Sequence, residues 1–290
     1  MLWRENRQPA PLLEVSLCRL KHFLSITNHY KFYLTILHTT LPVLPRLLQR
    51  FTKLTSLNLS SYYGDLNALL TQISRFPLKL TLLNLSNQLN LLANGLGAFS
   101  QNITTLTSLI CSVLYSINST DLKLIADCFP LLEELDLGYP YKFINHTHRN
   151  FPTGLKALLL ALFKLRKLNL SHHYYVNDFL IFHLFKNCKF LEEAILPRCQ
   201  RVTNLGVACA LCERPTLRSL SFSGISITDV TSHFIDSLLS LKGITALHFS
   251  RMHISDQFLF SIAMESLPLT RLVLKECTDF AYSGISYFVL

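Results

Sequence analysis

The chain has 290 residues, half of them hydrophobic and only 16% charged, with a formal charge of +9 and eight cysteines. No window holds 18 uninterrupted apolar residues, so a membrane-spanning helix is not expected, and the cysteines are too scattered for the disulfide framework of a small secreted domain. These features point to one densely packed domain working in a reducing cytoplasm or nucleus.

Residues 1–53 carry eight basic and two acidic side chains, so +6 of the +9 lies in this stretch. Such an arm can bind nucleic acid or an acidic surface, or its Arg46, Arg50 and Lys53 can simply solvate a leading helix. No base-stacking or groove-reading motif accompanies the charge, so nucleic acid is not expected as a partner. The first fifteen residues contain no apolar h-region, and no signal peptide is read there.

From residue 54 the chain repeats the pattern Leu-x-x-Leu-x-Leu. Clear copies begin at Leu54, Leu80, Leu132, Leu165, Leu217 and Leu269, and weaker ones at Leu106, Leu191 and Ile244. Successive starts lie 26, 26, 26, 33, 26, 26, 27 and 25 residues apart. A period of 20–29 with this spelling is that of leucine-rich repeats. The expected fold is therefore an α/β leucine-rich-repeat solenoid of about nine repeats over residues 54–290, behind an N-terminal cap of residues 1–53.

Within each copy the alternation of a strand sends the fourth and sixth positions inward and the third and fifth outward. Leu57, Leu59, Leu83, Leu85, Leu135 and Leu137 are thus expected in the core. The return segments read as helices with caps at Thr120-Asp121, Asn177-Asp178, Thr203-Asn204, Thr228-Asp229 and Ser255-Asp256. A helix needs more room than a strand, so the array should curve into a horseshoe with parallel strands on the concave face and helices on the convex face.

The 33-residue spacing adds seven residues around Tyr139–Pro152. Tyr139, Tyr141, Phe143 and Arg149 make this loop aromatic and basic, as contact loops often are, though a tolerated insertion would look the same. His146, His148, His172 and His173 cluster around it without a carboxylate at ligand spacing, and read as exposed loop histidines. Cys209 and Cys212 form a lone CxxC on a return helix, with both sulfurs expected on one buried face, so no metal is anticipated. Of the six glycosylation triplets, those at Asn58, Asn84 and Asn169 arise from the repeat spelling itself. The last repeat runs into Ile285, Tyr287, Phe288, Val289 and Leu290 without a polar capping unit, so a further segment, a partner or self-association is expected to cover it.

The concave ladder is the second candidate contact surface. Its fifth positions include Asn58, Asn84, Asp136, Asn169 and His248, and its third positions Glu134, Lys167, Glu193 and Arg271. A row so mixed in charge suits a protein better than a phosphate backbone, which asks for a continuous basic stripe. Nothing in the spacing resembles a nucleophile–base pair or a phosphate loop, so neither catalysis nor a cofactor is expected.

Cys199-Gln-Arg-Val-Thr-Asn-Leu-Gly-Val207 with Cys209 and Cys212, echoed at Ile225–Asp229 and Met252–Asp256, resembles the cysteine-containing repeats of F-box/leucine-rich-repeat proteins, plant members in particular. Phe129-Pro-Leu-Leu-Glu-Glu-Leu-Asp-Leu137 is similar to that family's lead into a strand. Ser16–Thr27, with Lys21, Phe23 and Leu24, resembles the end of an F-box. Only fifteen residues precede this stretch, so most of an F-box is expected to be missing. The resemblance implies the substrate-recognition part of a cullin-type ubiquitin ligase, holding a protein substrate on the concave face. Lys21, Phe23 and Leu24 would be what remains for docking the Skp-type linker. A free-standing scaffold or decoy is the alternative. A small-molecule sensor is a third reading, and it would need a closed pocket floored by basic residues.

Overall fold

The computed structural model describes residues 14–16, 32–36, 45, 48–49, 53–89, 91, 93–115, 117–140, 151–223 and 231–288. Eleven strands form one sheet in strict sequence order, and every pairing is parallel. The nine repeat strands are β3 (Leu54–Asn58), β4 (Leu82–Asn84), β5 (Ser108–Ile110), β6 (Glu134–Asp136), β7 (Lys167–Asn169), β8 (Glu193–Ile195), β9 (Ser219–Ser223), β10 (Ala246–Ser250) and β11 (Arg271–Lys275). Two further strands, β1 (Glu14–Ser16) and β2 (Phe32–Thr35), extend the same sheet ahead of the first spelled repeat. Lys21, Phe23 and Leu24 lie outside the described residues.

The helices that return each strand to the next are α1 (Leu66–Ile73), α2 (Ala93–Asn102), α3 (Ser119–Cys128), α4 (Phe151–Ala161), α5 (Asp178–Asn187), α6 (Asn204–Cys212), α7 (Ser232–Leu239), α8 (Asp256–Met264) and the short α9 (Tyr282–Ser286). This is the α/β leucine-rich-repeat solenoid. Strands about 4.8 Å apart on one side, against helices about 10 Å wide on the other, oblige such a layer to bend with the strands inside.

The core is a column. Leu54, Leu57 and Leu59 of the first repeat are at most 1% exposed, and the same three positions are buried in every repeat up to Ile244, Leu247 and Phe249. In the last repeat the matching Leu269, Leu272 and Leu274 are only partly buried. Cys111, Cys188 and Cys199 fill small core positions, where burial pushes the Cys188 and Cys199 thiols up to about 12 and leaves them unreactive.

Helix starts follow cap chemistry, with two differences from expectation. Asn177, Thr203 and Ser255 cap α5, α6 and α8 as anticipated. The cap of α3 is Asn118 rather than Thr120: its Oδ1 accepts from the Thr120 and Asp121 amides at 2.8 and 3.2 Å, and the Asp121 carboxylate accepts from the Asn118 amide at 2.8 Å. That reciprocal pair satisfies more donors than a lone threonine hydroxyl could. Helix α7 is capped by Thr231, while Thr228 and Asp229 lie outside the described residues.

Neighbouring helices approach through glycines. A Cβ on Gly206 would fall 2.0 Å from the Asp178 carboxylate, and Cβ atoms on Gly95 and Gly154 would meet the backbones of Asn67 and Ser119 at 2.9 and 2.8 Å. Asp178 also accepts from the amide and hydroxyl of Thr203, the cap of the next helix, at 2.7 and 2.8 Å. One carboxylate thus serves its own helix start and the following one.

Candidate functional site

The parallel register sets the concave residues in two rows. Ser108, Glu134, Lys167, Glu193 and Ser219 stand side by side on successive strands in one row, and Asn84, Ile110, Asp136, Asn169 and Ile195 in the other. The first row compensates its own charges. Ser108 Oγ donates to Glu134 at 2.9 Å and Lys167 Nζ pairs with Glu193 at 2.5 Å, while Arg166 forks onto Glu192 at 2.9 Å one position earlier. The floor is therefore polar with charges of alternating sign, and its half-buried pairs are screened less than ordinary surface pairs.

The second row has a structural duty that its spelling did not reveal. The side-chain oxygens of Asn58, Asn84, Asp136 and Asn169 accept from the amides two residues on, at 3.0, 2.9, 2.8 and 2.9 Å. Each bond starts the turn that ends its strand. Asp136 and Asn169 are only 4% and 3% exposed. Both are expected as concave contact residues, and in the structure both are buried. Asn58 and Asn84 are half-buried.

Among the described residues, the exits of β3 to β8, β10 and β11 each place one residue in the left-handed region: Ser61, Asn87, Val113, Tyr139, His172, Arg198, Arg251 and Glu276. The repeating gain that holds them there is a hydrogen bond to the next turn. Ser61, Asn87, Val113, Tyr139 and His172 donate their amides to the carbonyls of Ser86, Ser112, Gly138, Ser171 and Pro197. At several exits the residue after the left-handed position points inward, as Leu114, Cys199 and Met252 do.

His173 occupies that inward position, and this corrects the reading of it as an exposed loop histidine. It is fully buried, stacked on Phe151 at 5.2 Å, and its Nε2–H donates to the Leu137 carbonyl at 2.7 Å. Burial lowers its pKa to about 4. His172 is half-buried against Tyr139, their rings 4.3 Å apart. His146 and His148, like the candidate contact residues Tyr141, Phe143 and Arg149, lie outside the described residues. Tyr139 itself is 47% exposed.

Burial, helped by the nearby Arg271 and Lys275, holds His248 below the usual histidine range and so neutral in a basic corner. Cys209 and Cys212 are exposed rather than buried, because Val207, Ala208, Ala210 and Leu211 take the inward face of α6. Among the described residues no three His, Cys, Asp or Glu side chains converge as a metal site would need, and no helix is long and apolar enough to cross a membrane.

No protein-family model matches the chain, and no curated protein matches it in sequence. Its fold is similar to that of Rad7, solved in complex with Elc1 from yeast, with a TM-score of 0.60 and 18% identity over 86% of this chain and 60% of that one. It is likewise similar to the leucine-rich-repeat-containing protein LegL7 from Legionella pneumophila, with a TM-score of 0.55 and 17% identity over 91% and 90%. A third likeness is to TLR13 in its complex with ssRNA13, with a TM-score of 0.51 and 16% identity over 87% of this chain and 36% of that one.

Proposed function

We propose that this chain is a protein-binding repeat module. On its resemblance to F-box/leucine-rich-repeat proteins, we assign it to the substrate-recognition part of a cullin-type ubiquitin ligase receptor. The observation that carries the first statement is the concave row of alternating charge, with Glu134, Lys167 and Glu193 in register on adjacent strands. A polypeptide can answer each sign in turn, whereas a phosphate backbone would face carboxylates at every second step. The likeness in fold to Rad7, solved with a protein partner, fits this reading. Contacts are assigned to Glu134, Lys167, Glu193, His248 and Arg271 on the floor and to Tyr139, Tyr141, Phe143 and Arg149 at the loop. The chain acts by binding, and any catalysis belongs to the ligase partners.

Strands β1 and β2 lie on either side of residues 17–31 and belong to the repeat sheet. They favour a second reading, a free-standing scaffold that holds its target without delivering it. Co-purification with the Skp-type linker separates the two. The ligase reading expects capture of the linker by this chain, as by a control carrying a complete F-box, and loss of capture on changing Phe23 and Leu24 to Ala. Capture by the control alone would leave the scaffold.

A further inference from the structure

Helices α4 and α5, with the turns that lead them into β7 and β8, put four large apolar side chains into water on the outer side of the solenoid. Leu160, Phe163, Phe179 and Phe190 are 55%, 53%, 57% and 60% exposed. The repeat does not ask for them. Phe190 stands one residue ahead of its repeat, where Lys79, Thr105, Thr216 and Gly243 are exposed elsewhere, and Phe163 stands where Thr104, Pro130 and Lys242 are exposed. The Arg166 amide bonds to the Glu133 carbonyl at 2.7 Å and the Glu192 amide to the Arg166 carbonyl at 2.8 Å. The two turns are thus one repeat apart, between a strand spacing of about 5 Å and a helix spacing of about 10 Å. On the helices above them, Phe179 and Phe182 flank His183 with ring centroids at 4.3 and 6.0 Å. Lys156 reaches across from α4 to 5.1 Å from the Phe179 ring, and Lys186 lies 5.6 Å from the Phe182 ring. These contacts join the outer sides of α4 and α5 into one surface.

The same surface is basic. From Phe151 to Leu191 the chain has six lysines and arginines and a single acid, Asp178. Arg166 and Lys167 pair with Glu192 and Glu193 at the strand starts, and Asp178 accepts from the amide and hydroxyl of Thr203. Lys156, Lys164, Lys186 and Lys189 make no ion pair among the described residues. Asp127, near the end of α3, and Glu213, the C-cap of α6, bound this basic and apolar patch on either side.

We propose that this convex patch seats the protein on an anionic phospholipid bilayer, with Leu160, Phe163, Phe179 and Phe190 entering the headgroup layer and the four lysines meeting its negative charges. Charge complementarity selects an anionic surface, since four cations without a carboxylate partner share it. The apolar side chains, each more than half exposed, stand out from an outward-curved face instead of lining a groove. The helices beneath them pair their backbone groups internally, so they offer a peptide no main-chain partner. A bilayer needs neither groove nor backbone: phenyl and isobutyl groups leave water for the acyl boundary, and lysine stems lie along them with the ammonium groups at the phosphates. The concave face points away from such a bilayer and stays open to a protein, so this role goes beyond the protein-binding reading and does not depend on it.

The test is co-sedimentation of the full chain with vesicles of phosphatidylcholine alone and of phosphatidylcholine with phosphatidylserine as a third of the lipid. The expected result is at least tenfold tighter binding to the anionic vesicles, weakened by added salt. Lys164→Glu and Lys189→Glu should each weaken that binding about fivefold or more. Phe163→Ser together with Phe190→Ser should weaken it about tenfold or more at unchanged charge, and leucine at both positions should restore most of it. Lys79→Glu, the same charge change at the position of Lys164 but three repeats away, should leave it within about twofold. The changed side chains are all exposed, and thermal melts confirm that each variant is folded. Equal binding to the two vesicles, no binding to either, or as large an effect from Lys79→Glu as from Lys189→Glu overturns the proposal. Tighter binding of a labelled helical peptide of glutamate and leucine than of the anionic vesicles, lost in the same phenylalanine and lysine variants, makes the patch a protein-docking face and overturns it as well. No concave residue is changed in these variants, so the reading of the concave floor stands or falls on its own experiment.

Discussion

Asp136 and His173 meet around one peptide unit, since His173 donates to the carbonyl of Leu137, the residue after Asp136. Burial shifts them in opposite directions. It raises the Asp136 pKa to about 6, against the Gly138 amide, Asn169 and Lys167, and lowers that of His173 to about 4. Asp136 binds its proton more tightly in the fold, so its contribution to stability is complete below the unfolded value of about 3.9 and is lost as pH rises through 6. His173 resists protonation in the fold, so its contribution is complete above about 6.5 and is lost as pH falls toward 4. Each is worth at most about 3 kcal/mol, and in the wild type they offset one another between pH 4 and 6. Asp136→Asn, which copies the asparagine of Asn58, Asn84 and Asn169, should raise the melting temperature at pH 7.5 and expose a steep loss on acidification. His173→Met, which copies Met252, should cost about 1 kcal/mol at pH 7.5 through the lost hydrogen bond and then gain stability as the pH falls. Melting curves from pH 4 to 8 read both slopes, and a flat profile for either variant would refute the pairing.

At the scale of the element, helix contacts and strand exits carry different demands. Gly206→Ala drives a methyl group into the Asp178 carboxylate and should cost about 1–3 kcal/mol, less in an Asp178→Ala background. A Cβ on Gly97, in α2, would meet nothing within 4 Å, so Gly97→Ala should stabilise by about 0.5–1 kcal/mol. At the exits, exposed Asn87 has φ of 59°, and Asn87→Val should cost about 1–2 kcal/mol because a β-branched residue tolerates that conformation poorly. Denaturant unfolding measures all three, and the opposite signs of the two glycine changes are the discriminating result.

Over the whole molecule, what could be read in the amino acids was what repeats in them. The spelled leucines located every strand from β3 to β11 and the buried column, and the caps at Asn177, Thr203 and Ser255 were legible because one side chain suffices for each. The left-handed exits were not legible, since serine, valine, tyrosine, histidine and arginine all occupy them and the common cause is a backbone bond to the next repeat. His173 was missed for a related reason. Its neighbour in the chain, His172, is also a histidine, while its true equivalents, Cys199 and Met252, stand at the same offset from other strands and share no chemistry with it. The burial of Asp136 and Asn169 is not legible either, because alternation tells which way a side chain leaves the strand and not how much of it water then reaches.

The hydrogen bonds that tie Ser61 to Ser86, Asn87 to Ser112 and Val113 to Gly138 join the same two positions of consecutive units and involve no side chain. They therefore cannot tell one unit from another, and the number of units becomes a quantity that can be edited. Excising residues 86–111, one full 26-residue period, joins Leu85 to Ser112 and lets every such bond re-form one step along. That shortened chain should fold and unfold cooperatively, whereas removal of one residue more or fewer should not, as circular dichroism and a denaturant titration would show. In such a molecule length is a dial, and duplication or loss of a unit changes the reach of the surface without asking the fold to be invented again.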